Sequence, residues 1–154
     1  MLYTILTALL IVLDQVVKHV IRTGLEPGEQ LPFLPGILGL TYVKNTGAAF
    51  SLLSDHTWLL TLLSAVAVVL LAVALFRGSI RHPMGRVFLS LLLAGAAGNL
   101  IDRAIFGSVT DMFQTLFMTF PVFNVADICV VCGGIGLTVY VLFFYERWEL
   151  PHGD

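Results

Sequence analysis

"VFLSLLLAGAAGNLIDRAIFGSVTDMF" (Val87–Phe113) begins as a run with no charge and then, in quick succession, presents Asn99, Asp102, Arg103 and Asp111. The uncharged part has the length and character of a membrane helix. Each polar group at its far end is costly in lipid and demands a reason. Whether the surroundings are lipid therefore decides the reading of the whole chain.

Composition answers that question. The chain has 154 residues, of which 58% are hydrophobic and 12% charged, with a mean hydropathy of +0.94. These values lie far from the balance of a soluble domain and place the chain among membrane proteins. Eight Lys and Arg against a net charge of -2 leave no basic face for a phosphate backbone, so no nucleic-acid partner is expected.

Outward from Val87–Phe113, apolar windows of about 20 residues define four spans, at residues 2–21, 58–76, 87–105 and 128–145, in a single domain covering 1–154. Barrel-type alternation is absent, so the spans are helices and the fold class is an all-α membrane protein. Asp14 and Lys18 interrupt the first span, which lacks a charged n-region and a small-x-small site and is expected to be retained. Residues 23–56 carry three prolines, five glycines and short β-prone runs, and read as a strand-rich cap on the membrane surface.

Three arginines in "RGSIRHPMGR" (Arg77–Arg86) mark the loop between spans two and three as cytoplasmic. Both termini then lie in the cytoplasm, and the cap, Asp111 and the start of span four lie at the outer face. "FFYERWEL" (Phe143–Leu150) reads as an aromatic and charged interfacial anchor.

This topology brings Asp102, Asp111 and Asp127 to one depth from separate parts of the chain. Two carboxyls close together and partly stripped of water cannot both ionise cheaply, so they share a proton. One can then act as base toward a water while its partner acts as acid, with neither metal nor side-chain nucleophile. Asp102 is expected to pair with its neighbour Arg103 as structural support, whereas Asp111 and Asp127 have no basic neighbour in sequence. Asn99 and Asn124 could cap helices and bridge between them, or equally hold a substrate backbone. Asp14 and Lys18, spaced i, i+4, form an ion pair on one helical face. Ser54 and Asp55 are placed to cap the second span.

Other chemistries have weaker support. His19, His56, His82 and His152 are scattered with no H-E-x-x-H, no G-x-S-x-G is present, and neither metal nor cofactor is expected. Cys129 and Cys132 read as two small apolar residues a helical turn apart, so thiol alkylation is expected to spare activity. A proton-coupled transporter or channel component is the rival use of membrane carboxylates, but its polar groups would gather near the midplane.

Five ordered blocks carry a resemblance: "DQVVK" (Asp14–Lys18), "NTGAAFS" (Asn45–Ser51), "GNLIDR" (Gly98–Arg103), "VTDMF" (Val109–Phe113) and "FNVAD" (Phe123–Asp127). Together they resemble, over nearly the whole chain, the bacterial lipoprotein signal peptidases (signal peptidase II). The resemblance implies an inner-membrane aspartic endopeptidase acting at the extracytoplasmic face. Its substrate would be a diacylglyceryl-modified prolipoprotein, cut just before the lipid-modified cysteine, and its inhibitor the cyclic lipopeptide globomycin. It implies that Asp111 and Asp127 are the catalytic pair, that Asn45, Asn99, Arg103 and Asn124 orient substrate or support the site, and that Asp14, Lys18 and Asp102 support it structurally. It further implies that the strand-rich cap is a cradle on membrane lipid and that residues 113–120 form a short surface helix. Met112 stands where the family often has an aromatic residue, and the "ELPHGD" tail lacks a lysine-rich ending.

Overall fold

The computed structural model describes residues 1–47 and 57–149. In chain order these form α1 (Leu2–Gly24), β1 (Gln30–Leu34), β2 (Leu38–Asn45), α2 (Thr57–Phe76), α3 (Pro83–Phe106), β3 (Val109–Thr115), α4 (Val125–Phe143) and α5 (Tyr145–Glu149). Ser54 and Asp55, expected to cap the second span, lie outside the described residues. The four long helices α1 to α4 are each long and apolar enough to cross a membrane.

Most of their apolar surface faces outward. Leu62, Leu63, Val66, Val69 and Leu70 on α2 are all exposed, as are Leu9 on α1 and Leu142 on α4. In water this would be untenable; in lipid it costs nothing, so the driving force for helix association is close packing and polar bonding. α3 and α4 accordingly meet through small residues. A Cβ on Gly133 would stand 2.7 Å from the Leu92 amide nitrogen and 2.8 Å from the Phe88 carbonyl oxygen, and one on Gly95 would collide with the Ala126 carbonyl. That proximity sets the two helices that carry Asn99 and Asp127 side by side.

Each helix end that shapes the site has a local cause. α3 ends at Gly107, whose φ of 69° turns the chain back, and β3 begins two residues later. α4 begins where Asn124 accepts a hydrogen bond from the Asp127 amide and the Asp127 carboxylate accepts one from the Asn124 amide, a reciprocal capping box. At the far end, the Glu149 carboxylate accepts from the backbone N–H groups of Arg81 and His82 and from the Tyr140 hydroxyl at 2.6 Å, clasping α5 to the α2–α3 loop.

The strands form one antiparallel sheet in the order β1-β2-β3. It is anchored on α1 by a cluster of Ile21, Tyr42 and Met112, the last fully buried. No surface helix forms at residues 113–120. Phe113 to Thr115 continue β3 against β2, the amides of Met112 and Phe113 both donate to the Phe123 carbonyl, and residues 116–118 bend rather than coil. Strand pairing on both sides of Phe113 satisfies the backbone there, which leaves a helix nothing to gain.

Candidate active site

Strand register places the first carboxyl. Asp111 lies opposite Val43, and Asn45 lies opposite Val109, so Asn45 and Asp111 are diagonal neighbours on one face of the sheet. Asn45 Nδ2 donates to Asp111 Oδ2 at 2.8 Å, and its own Oδ1 accepts from the Gly47 amide at 2.9 Å. Asp111 is 2% exposed.

The capping box places the second. Asp127 is the third residue of α4, and its Oδ2 accepts from the Asn124 amide at 3.0 Å. Its Oδ1 accepts from Asn99 Nδ2 on α3 at 2.8 Å. Asn124 then joins the two carboxyls, because its Nδ2 donates to Asp111 Oδ1 at 2.7 Å and to Asn99 Oδ1 at 3.1 Å. Each of the four carboxyl oxygens thus accepts from an N–H donor held in place by other bonds. Both asparagines cap or bridge in this geometry, and Asn99 also lines the cavity.

Behind this pair lies a polar layer contributed by α1. Asp14 Oδ1 accepts from the Ala126 amide at 2.9 Å, bonding the first turn of α4 next to Asp127. Lys18 Nζ reaches Asp14 Oδ2 at 2.9 Å, Asn99 Oδ1 at 2.9 Å and Asp102 Oδ2 at 3.6 Å. The expected pairing of Asp102 with Arg103 does not occur. Adjacent residues on a helix point to different faces, and the partners of Asp102 are Lys18, Arg22, Gln15 and the Thr110 amide. Gln15 and Arg22 thus join the supporting residues without having been expected there. The signal for Arg22 is the spacing of Asp14, Lys18 and Arg22, which repeats every four residues along one face of α1; Gln15 lies beside Asp14, off that repeat.

Freed from Asp102, Arg103 faces a cavity of about 420 Å³ that it lines together with Asn45, Asn99, Asp111 and Asp127. No carboxylate lies within ion-pair distance of Arg103 among the described residues; its contacts are long ones, to Ser64 Oγ at 3.5 Å and the Gly47 carbonyl at 3.4 Å. The remaining wall is apolar, built from Phe120 to Phe123 and the outward face of α4 at Ile128, Val131 and Cys132. A polar end with two carboxyls and a cation, continuous with a greasy wall, can hold a peptide bond whose neighbouring groups prefer lipid.

Burial, reinforced by the charge of Asp127 and opposed by the Asn45 and Asn124 amides, pushes the Asp111 carboxyl up to about 6 from its ordinary value. The fraction of Asp111 that carries a proton therefore falls as pH rises through that value. The infrared band of a protonated carboxyl, assigned by its absence in Asp111→Asn, is expected to fade with a midpoint near pH 6. Asn45→Ala removes a donor to the ionised form and is expected to move the midpoint upward. A midpoint at the ordinary carboxylate value would refute the burial assigned to this group.

The chain is similar to known proteins over almost its full length. A family model described as signal peptidase (SPase) II matches residues 6–143. A lipoprotein signal peptidase of Enterococcus faecalis is 42% identical over 143 residues, covering 91% of this chain and 87% of that one. One from Symbiobacterium thermophilum is 40% identical, covering 96% and 97%. A solved bacterial membrane enzyme superposes with a TM-score of 0.87 at 27% identity, covering 99% of this chain and 94% of that one.

Proposed function

The chain belongs to the signal peptidase II family, and on that premise we propose how it works as a multi-pass membrane protease that removes signal peptides from prolipoproteins. The scissile peptide bond enters the cavity between Asp111 and Asp127. Buried Asp111 holds the shared proton and donates it to the carbonyl oxygen, while the more accessible Asp127 takes a proton from the attacking water. The tetrahedral intermediate collapses as Asp127 passes the proton it took to the leaving amine and Asp111 takes back the hydroxyl proton while the carbonyl reforms, which restores the starting protonation. Arg103, lacking a carboxylate partner among the described residues, donates to a carbonyl of the bound peptide. The observation that carries this reading is the convergence of two carboxyls from β3 and α4 on one cavity, joined through Asn124.

The apolar wall at Ile128, Val131 and Cys132 accepts the hydrophobic signal peptide and the diacylglyceryl chains of a lipid-modified cysteine. The site then lies at the extracytoplasmic face of the cytoplasmic membrane, with both termini inside. The direct test is digestion of a diacylated prolipoprotein by the purified protein, with the product N-terminus read by mass spectrometry. Release of a fragment beginning at the modified cysteine supports the reading; an intact precursor rejects it. Orientation is read separately, from whether a cysteine at Ser79 resists an impermeant thiol reagent added outside spheroplasts.

The place of Cys132 bears on the expected tolerance of thiol alkylation. It is exposed on the cavity wall, whereas Cys129 is buried. A bulky apolar maleimide is therefore expected to inhibit cleavage by filling the space of the substrate, and Cys132→Ala is expected to abolish that inhibition. Equal inhibition of the Cys132→Ala protein would place the reacting group elsewhere.

A further inference from the structure

The three asparagines around Asp111 and Asp127 share one feature: each turns its amide oxygen toward a donor and its NH2 toward a carboxyl. For Asn45 the donor is the Gly47 amide, and for Asn124 it is the Asp127 amide. Both are backbone groups of nearby residues. Asn99 differs, because its Oδ1 is held by Lys18 Nζ at 2.9 Å and Asn124 Nδ2 at 3.1 Å, both far away in sequence.

A carboxamide occupies nearly the same volume when its oxygen and nitrogen exchange places, so only its hydrogen-bond partners decide which way it points. If Asn99 were reversed, its oxygen would face Asp127 Oδ1, acceptor against acceptor, and its NH2 would face an ammonium, donor against donor. An ammonium has three donors and no acceptor, so it forbids that second juxtaposition outright. Lys18 is itself fully buried and held by Asp14 and Asp102. It takes no part in lining the cavity.

We propose that Lys18 is a positioning residue for the reaction: its ammonium locks the Asn99 carboxamide with the NH2 toward Asp127, which keeps that carboxyl ready to accept a proton from water. This goes beyond an ion pair that merely stabilises α1 against α3. It rests on the assignment of Asp111 and Asp127 as the reacting pair. The charged and polar groups concerned are Asp14, Gln15, Lys18 and Arg22 on α1, Asn99, Asp102 and Arg103 on α3, Asp111 on β3, and Asn124 and Asp127 at the start of α4. Of the three cations among them, Lys18 is the one bonded to Asn99.

Without the ammonium, only Asn124 Nδ2 still opposes reversal, so the reversed Asn99 gains population, and in that form the pair stabilises an additional proton shared with the amide oxygen. That proton must leave before water can be deprotonated, so the acidic limb of the kcat/KM profile moves to higher pH. The test measures this profile on diacylated prolipoprotein for the full chain and for Lys18→Met, Lys18→Gln and Lys18→Arg. The apolar and neutral variants are expected to shift the acidic limb upward by about one pH unit, so their deficit is roughly tenfold at low pH and shrinks as pH rises. Lys18→Arg keeps the charge and the donors and is expected to leave the limb in place.

A uniform loss at every pH with an unmoved limb would mean a structural ion pair and nothing more, and would overturn the proposal. If Lys18→Met yields no folded protein, Lys18→Gln carries the comparison, since its carboxamide still bonds one of the two acids. The assignment of the reacting pair fails by a different result, namely persistent cleavage by Asp111→Asn or Asp127→Asn, whatever Lys18 does.

Discussion

Asp111→Asn and Asp127→Asn are each expected to lower kcat/KM on a diacylated prolipoprotein by about 10³-fold or more, with no loss of membrane insertion. An amide cannot take a proton from water, nor hold the one that the carbonyl oxygen must receive. The folded state is expected to survive because Asn at position 127 still offers one oxygen to cap α4, and Asn at position 111 still accepts from Asn45 or Asn124. Each replacement does turn an NH2 toward a donor, so a modest drop in thermal midpoint accompanies the loss of activity. Near-normal turnover by either variant would remove that residue from the chemistry.

Asp102→Ala is expected to act in the opposite sense, on the fold before the chemistry. Asp102 is fully buried and accepts from Lys18, Arg22, Gln15 and the Thr110 amide. Deleting the carboxylate leaves two cations near one another with their shared counter-charge gone, a loss on the order of 3–5 kcal/mol. It also releases the start of β3, which carries Asp111 one residue beyond Thr110. The protein is expected to show a much lower thermal midpoint in detergent and a poor folded yield. Asp102→Asn keeps an acceptor for the Thr110 amide and is expected to be milder on both measures. A fully stable but inactive Asp102→Ala would transfer Asp102 from the supporting layer to the reaction.

The two carboxyl classes also differ in how the fold reaches them. Asp111 and Asp127 sit on the cavity, held by amides whose donors point at their oxygens. Asp14 and Asp102 sit behind it, held by cations from α1. The arrangement separates the carboxyls that face the cavity from those that tie the helices together behind it.

The sequence alone determined the four membrane helices, the strand-rich segment after the first, and the family. Hydropathy over a helix-length window is a local quantity, and the polar blocks around Asp14, Asn45, Asn99, Asp111 and Asp127 are read in order along the chain. Partner choice was another matter. Asp102 stands beside Arg103 in sequence yet bonds Lys18 and Arg22, because neighbours on a helix diverge while residues on facing helices converge. Residues 113–120 pair as strand and bend instead of forming a helix, because β2 and Phe123 supply the backbone partners from outside the segment. The exposure of Cys132 on the cavity wall, and the direction in which Asn99 points, follow likewise from which elements pack against α3 and α4. Such contacts join residues separated by tens of positions, and only the assembled helices and sheet bring them within hydrogen-bond reach.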